Sequence, residues 1–335
     1  MKKFLELLNQ YKEEGKLYSQ VHPSLPLTIW NYTPKVQYEG LWDDITLMCR
    51  GLVTDNAGKI VARPFKKFFN IEENRHEPTK DFEVFEKLDG SLIIVFWYEN
   101  QWLIASRGSF TSDHVKWADK ILSKAKRNKF LIPCHTYCFE LIHPENRIVV
   151  NYGERKELVA TAIFDCHGKE IPLEIHKNAI PVVKKYEGLD WKNIKDLNWK
   201  NSEGFVVRFS NGSRCKIKFE DYIRLHRVMT NISEKKIWEA LKDGKPISSI
   251  LENVPDEFFD QVKEIEGKFL QNFYDLGDTY RSIFRKISLE LGPDPNRKEF
   301  AKLANQHTTS AILFSMLSGR DYSDKIWKIL EPKSK

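Results

Sequence analysis

The sequence predicts an α+β protein: a largely antiparallel sheet domain with flanking helices, followed by a small all-α C-terminal domain. Three observations carry this. From Leu27 to about Lys218, short apolar or β-branched runs are broken by turn residues, the pattern of half-buried strands. Beyond Tyr222, apolar residues recur at helical spacing instead. The 335 residues are also more than a single core uses, so two domains are expected, at 1-228 and 229-335.

In chain order, Phe4, Leu5, Leu7, Leu8 and Tyr11 fall at helical spacing, and Gly15 can end that helix. Strands are expected at 51–54, 82–85, 92–98 and 102–106, with Asn100 in a hairpin turn between the last two. A helix over 113–126 carries Val115, Ala118, Ile121 and Leu122. Strands at 157–164, 205–209 and 215–219 follow, the last two joined by a turn at Asn211 and Gly212. Ser233 can cap a helix bearing Ile237, Trp238 and Leu241 that stops near Gly244 and Pro246. Pro255 and Asp256 open a long helix whose apolar face runs from Phe258 through Val262, Phe273, Tyr280 and Ile287 to Gly292 and Pro293. Shorter helices are expected around 298–305, 310–317 and Lys325.

Composition narrows the function classes. Hydrophobic residues make up 41% and charged residues 30%, the values of a globular protein rather than a disordered one. The net charge of +6, from 53 basic against 47 acidic residues, permits a polyanionic partner without requiring one. Five scattered cysteines give no disulfide framework, and Cys134, His135 and Cys138 lack the spacing of a zinc site. No apolar run is long enough to span a bilayer and the N-terminus lacks a signal-peptide core, so a cytoplasmic, intracellular setting with no membrane partner follows by default.

The chemistry-bearing residues stand in strand contexts. Lys87 ends an alternating segment and is followed at once by Asp89, Gly90 and Ser91. A lysine held against a tight glycine turn can aim its amine at a phosphate with backbone N–H groups close by. Such an amine attacks only once it has lost its proton, which needs nearby positive charge or desolvation. Glu140 is flanked by Phe139, Leu141 and Ile142, and Glu203 precedes the run Gly204, Phe205, Val206, Val207. Lys216 and Lys218 alternate with Ile217, so both ammonium groups face one way, an arrangement that suits an anion between them. Singly each carboxylate could be a surface group; together they supply a nucleophile, carboxylates for ribose or metal, and cations for phosphate.

In order and local sequence these residues resemble the covalent nucleotidyltransferase superfamily of ATP-dependent ligases and mRNA capping enzymes. Five elements carry the resemblance: Lys87 to Gly90, Ser106 to Ser109, Phe139 to Ile142, Glu203 to Val206, and Lys216 to Lys218. Within it the chain is most similar to the phage-type ATP-dependent RNA ligases, the group of the phage tRNA-repair ligases. That likeness rests on Arg50–Gly51–Leu52, on Arg63 and Pro64 followed by Lys67, Phe68, Phe69 and Asn70, and on Asn146 to Val150. It covers about Thr28 to Leu225, and more loosely the helical tail.

The resemblance implies an adenylation domain at 1-228 and a set of roles. Lys87 would be adenylated, Glu140 would grip the ribose, and Glu203 would position metal or take the lysine proton. Asp89 would orient metal-bound water, and Lys216 and Lys218 would contact the α-phosphate. Arg50 and Lys67 would bind the outgoing phosphates, and Gly90 and Arg107 would lie at the nucleotide. Arg107 stands where the group often has lysine, a planar guanidinium in place of an ammonium. Tyr32 and Phe69 would wall the nucleotide site and Tyr222 would be a substrate-linked position, though aromatic residues at such places are as readily packing residues. The implied cofactors are ATP and Mg²⁺, with Mn²⁺ as a substitute.

The implied reaction joins RNA with 5′-phosphate and 3′-hydroxyl ends through lysyl-AMP and an adenylated 5′ end, carried out by a monomer. A DNA-joining ligase and a GTP-dependent capping enzyme are the neighbouring alternatives, and an inactive RNA-binding protein is the alternative of a different class. In the helical tail, Arg281, Arg285 and Lys286 could follow a phosphate backbone or form a solvated face.

Overall fold

A computed structural model describes residues 1–124, 131–230, 233–251, 259–292 and 296–332. The chain divides into two compact units, Met1–Met229 and Thr230–Lys335. The expected helix ends at Lys126 and Pro293, and the expected start at Pro255, Asp256 and Phe258, lie outside the described residues.

In the first unit, α1 (Lys2–Glu13) buries Leu8 and closes at Gly15, whose φ of 71° is the left-handed conformation a helix end requires. There follow β1 (Leu17–Val21), β2 (Leu27–Tyr32), α2 (Pro34–Glu39), α3 (Asp44–Met48), β3 (Arg50–Asp55) and β4 (Ile60–Ala62). Next come β5 (Phe69–Asn70), β6 (Phe82–Lys87), β7 (Ser91–Tyr98), β8 (Gln101–Ser106), α4 (Asp113–Lys124), β9 (Thr136–Ile142) and β10 (Glu157–Phe164). The unit ends with β11 (Lys185–Tyr186), β12 (Gly204–Phe209) and β13 (Arg214–Lys218), and α5 (Glu220–Thr230) reaches its boundary. The strand expected at 82–85 continues to Lys87, and the one expected at 215–219 stops a residue short, because Phe219 already leads into α5.

The strands form three sheets, ordered β1-β2-β3-β4, β10-β9-β7-β8 and β11-β6-β12-β13-β5. All pairings are antiparallel except β13 with β5. The β10-β9-β7-β8 sheet is apolar on both faces. On one side Ile93, Val95, Tyr137 and Phe139 pack with Ala118 and Leu122 of α4. On the other, Leu92, Ile94 and Phe96 meet Leu27, Ile29 and Val53 of the first sheet. The five-stranded sheet is built differently. Phe205, Val207, Phe209, Cys215 and Ile217 turn into a core with Val149, Val150 and Tyr222, and alternation leaves Gly204, Val206, Arg208, Arg214, Lys216 and Lys218 on the opposite face.

The second unit is helical among its described residues: α6 (Glu234–Lys242), α7 (Phe259–Leu291), α8 (Arg297–Ala304), α9 (Ser310–Leu317) and α10 (Ser323–Ile329). Tyr280 and Ile287 of α7 pack with Phe300, Ile312, Leu313 and Ile326. Ser233 caps α6 by accepting from the Lys236 N–H, and the buried Trp238 indole donates to the Trp327 carbonyl at 2.9 Å. Arg281, read from sequence as a candidate phosphate contact, is paired with Asp278 at 2.6 Å and also donates to the Tyr322 hydroxyl.

Gly204 fixes how β12 meets its neighbours. Its φ is 146°, and a Cβ there would lie 1.9 Å from the Ile217 carbonyl oxygen. Gly204→Ala is expected to cost several times the ~1 kcal/mol typical of strained glycine sites. Gly212→Ala serves as the reference, because that glycine also has positive φ but open space around it. Chemical denaturation of the two variants compares them, and equal stabilities would contradict the pairing.

Candidate active site

Strand register builds the site. Lys87 pairs with Gly204, and Gly204 with Lys218; one step along the same face, Phe85 pairs with Val206 and Val206 with Lys216. A third step aligns Glu83, Arg208 and Arg214. Three rows of one face thus carry Lys87, Lys216, Lys218, Arg208 and Arg214, a density of positive charge tolerable only with acidic partners or an anion.

Glu203, immediately before β12, answers the first row. Its Oε1 lies 2.6 Å from Lys87 Nζ and 3.5 Å from Lys218 Nζ, with the carboxylate almost wholly buried. Glu83 and Glu170 answer the third. Arg208 bonds both, Arg214 bonds Glu170, and Lys185 sits 3.0 Å from Glu83.

The turn after Lys87 is held by Asp89. Its Oδ2 accepts from the backbone N–H of Val149 and of Val150, both at 2.7 Å, and its Oδ1 accepts from the Tyr222 hydroxyl at 2.8 Å. Its own N–H donates to the Tyr152 hydroxyl. Gly90 is needed because a Cβ would stand 2.4 Å from the Leu141 carbonyl oxygen. That approach brings β9, and with it Glu140, against the lysine.

Lys87, Gly90, Glu140, Arg50, Arg107 and Val206 are among the residues lining a cavity of about 610 Å³, within the range of small-molecule sites. Arg50 is cradled by Phe65, its guanidinium 5.0 Å from the ring centroid, while its buried Nη1 has no hydrogen-bond partner among the described residues. An orphaned guanidinium N–H in a cavity marks a place for an anionic oxygen. Burial pushes the Glu140 carboxyl up to about 7, against the pull of Lys87 and Arg50 and with a further push from Glu203 and Asp89.

Several expected residues are placed elsewhere. Lys67 does not line the cavity with Lys87. It is only 8% exposed, with Nζ 5.8 Å from the Tyr32 ring, 5.6 Å from Trp42 and 5.4 Å from Phe69. Tyr32 and Phe69 both close on this lysine, and the Tyr32 ring also lies 5.7 Å from the guanidinium of Arg107, which lines the Lys87 cavity. Tyr222, expected at the substrate, is 3% exposed and locks Asp89 from the core side. Asp89, expected at a metal, has both carboxylate oxygens committed to the protein. Among the described residues no three His, Cys, Asp or Glu side chains converge to hold an ion. Sequence reading passed over Arg208, Arg214 and Glu170. The strict alternation Arg214, Lys216, Lys218 could have flagged the first strand partner, whereas Glu170 arrives from a distant loop.

The raised Glu140 value has a signed consequence. Its folded-state pKa lies above that of an unfolded glutamate, so its contribution to stability is complete at low pH and is lost as pH rises through about 7. Glu140→Gln removes this dependence. Relative to wild type, it is expected to gain on the order of 1–3 kcal/mol between about pH 5 and about pH 8. Denaturation curves at the two pH values measure it, and a constant difference would contradict the burial of this carboxyl.

Over residues 48–223, more than half of the chain, the sequence matches the family model described as RNA ligase. A protein of Autographa californica nuclear polyhedrosis virus assigned as a bifunctional polynucleotide kinase/RNA ligase is 27% identical, covering 59% of this chain and 35% of its own length. The chain thus spans about a third of that relative. The RNA ligase of Rhodothermus phage RM378 is 23% identical, with 84% of this chain and 80% of that protein aligned. Among solved structures, an Aquifex aeolicus protein assigned as an ATP-dependent DNA ligase covers 95% of this chain and 100% of its own at 15% identity and a TM-score of 0.46. The family match opens just before Arg50, closes just past Tyr222 and contains Lys87, Glu140, Glu203, Lys216 and Lys218; the chain belongs to this RNA ligase family.

Proposed function

We propose that this protein is an ATP-dependent RNA ligase that seals 5′-phosphate and 3′-hydroxyl ends through lysyl-AMP and an adenylated RNA 5′ end. One observation carries the reading: Lys87 Nζ, at the wall of a cavity, is held 2.6 Å from a buried carboxylate that can take its proton. In the first step the Lys87 amine attacks the α-phosphorus of ATP. A P–N bond forms, the bond to the β-phosphate oxygen breaks, and pyrophosphate leaves while Glu203 accepts the ammonium proton. Lys216 and Lys218 face the charge that builds on the α-phosphate, and the unpartnered Arg50 Nη1 suits the departing phosphates. Glu140, part-protonated near neutrality, can both donate to and accept from a ribose hydroxyl.

In the second step a phosphate oxygen at the RNA 5′ end attacks the same phosphorus and the lysine leaves. In the third, the 3′-hydroxyl attacks the 5′-phosphorus and AMP departs. Residues 1-228 act as the adenylation domain and 229-335 as a helical appendage. The reading takes the protein as a monomer.

Glu203 is the carboxylate that would hold Mg²⁺, and the ion would supply charge neutralisation for the nucleotide phosphates. Asp89 would act on such an ion only by shaping the turn.

With α-labelled nucleotide and Mg²⁺, wild-type protein is expected to become labelled by ATP and not by GTP, and to join 5′-phosphorylated RNA in preference to nicked DNA. Lys87→Ala abolishes labelling, and Glu203→Gln slows it by about 10²-fold or more. Labelling by GTP alone, or labelling of Lys87→Ala, would defeat the reading.

A further inference from the structure

At the rim of the Lys87 cavity a tyrosine hydroxyl is held in a way that packing does not demand. Tyr18 on β1 and Asn31 on β2 are direct cross-strand partners. The Asn31 amide Nδ2 donates to the Tyr18 hydroxyl at 2.7 Å. Asn31 is 1% exposed, and its Oδ1 has no partner among the described residues. A buried amide is costly to keep half-satisfied, yet here its one bond is directed to a tyrosine that is itself 38% exposed and lines the cavity. From another side the 106–109 loop closes on the same oxygen, since a Cβ at Gly108 would lie 2.8 Å from it. Arg107, Ser109 and His114 line the same cavity.

Because the hydroxyl oxygen accepts from Asn31, its own proton is directed elsewhere and is available to an acceptor. We propose that the Tyr18 hydroxyl donates a hydrogen bond to the 5′-phosphate of the RNA about to receive AMP, with Asn31 and Gly108 positioning it. The inference rests on the ligase reading and extends it to the second substrate. Burial separates the two substrates. Glu140 belongs to the ribose end of the cavity, which AMP fills once it is on Lys87, while the place beside Arg50 Nη1 is vacated as pyrophosphate leaves. The RNA phosphate must then approach the phosphorus from solvent, past groups that are still exposed. A 5′-phosphate is dianionic in part near neutrality and rewards a neutral donor in a cavity that a guanidinium also lines.

Tyr18→Phe removes the hydroxyl and keeps the ring. Lysyl-AMP formation from labelled ATP without RNA, and AMP transfer to a 5′-phosphorylated RNA oligonucleotide, are measured on the same preparations. The KM for that RNA is expected to rise about tenfold or more, while the rate and extent of lysyl-AMP formation stay within about twofold of wild type. The labelling also reports that the variant is folded. The same oligonucleotide with a 5′-hydroxyl is expected to compete equally with both proteins. An unchanged KM for the 5′-phosphorylated RNA would overturn the inference. So would an equal loss in labelling, which would assign the hydroxyl to the nucleotide. If wild-type protein labels and seals, either result leaves the ligase reading standing; if wild-type protein takes no label, that reading falls and this inference with it.

Discussion

Everything at this site depends on one glycine standing between two lysines. Gly204 pairs with Lys87 on one side and with Lys218 on the other, and no side chain at that position would clear the Ile217 carbonyl. The close approach lets the residue before it, Glu203, place one carboxylate oxygen within reach of both ammonium groups. Burying such a group costs several kcal/mol per ion unless its partners are near. Here the carboxylate offsets two cations at once and leaves the pair poised for an anionic substrate.

The turn that carries Lys87 is fixed from behind. Asp89 bonds two successive backbone amides of the 149–150 segment and a phenol from α5, so three parts of the chain distant in sequence meet at one carboxylate. Charge-assisted bonds of this kind are about twice as strong as neutral ones. They let the lysine sit at the wall of a cavity without flexing with it, which is what an attacking group needs when geometry supplies much of the rate. In this protein the aspartate of the Lys-x-Asp-Gly sequence is an architectural residue in the first instance.

Period-two patterns made much of this visible in the sequence. The alternation around Lys216 and Lys218, the strand before Lys87 and the glycine after Asp89 each follow from local backbone rules. So do the hairpin at Asn100 and the break from strands to helices near Tyr222, although α5 begins two residues earlier than the apolar spacing indicates. What stayed hidden is what needs three or more segments to converge. Lys67 is enclosed by rings from β2, from the loop before α3 and from β5, and no local signal distinguishes that enclosure from a nucleotide wall. Tyr222 looks the same in sequence whether it meets substrate or core. The pairing of Arg208 and Arg214 with Glu170 is equally silent, since the carboxylate lies about 40 positions away and is delivered by a bridge between Phe164 and Glu170.

The central claim is that Lys87 Nζ forms a bond to the α-phosphorus of ATP. Incubating the protein with ATP and Mg²⁺, digesting it, and sequencing the modified peptide by mass spectrometry tests this most directly. The expected result is a single AMP on the peptide containing Lys87, sensitive to acid and to hydroxylamine. AMP on Lys216, Lys218 or any other residue, or no adenylated peptide at all, would contradict it.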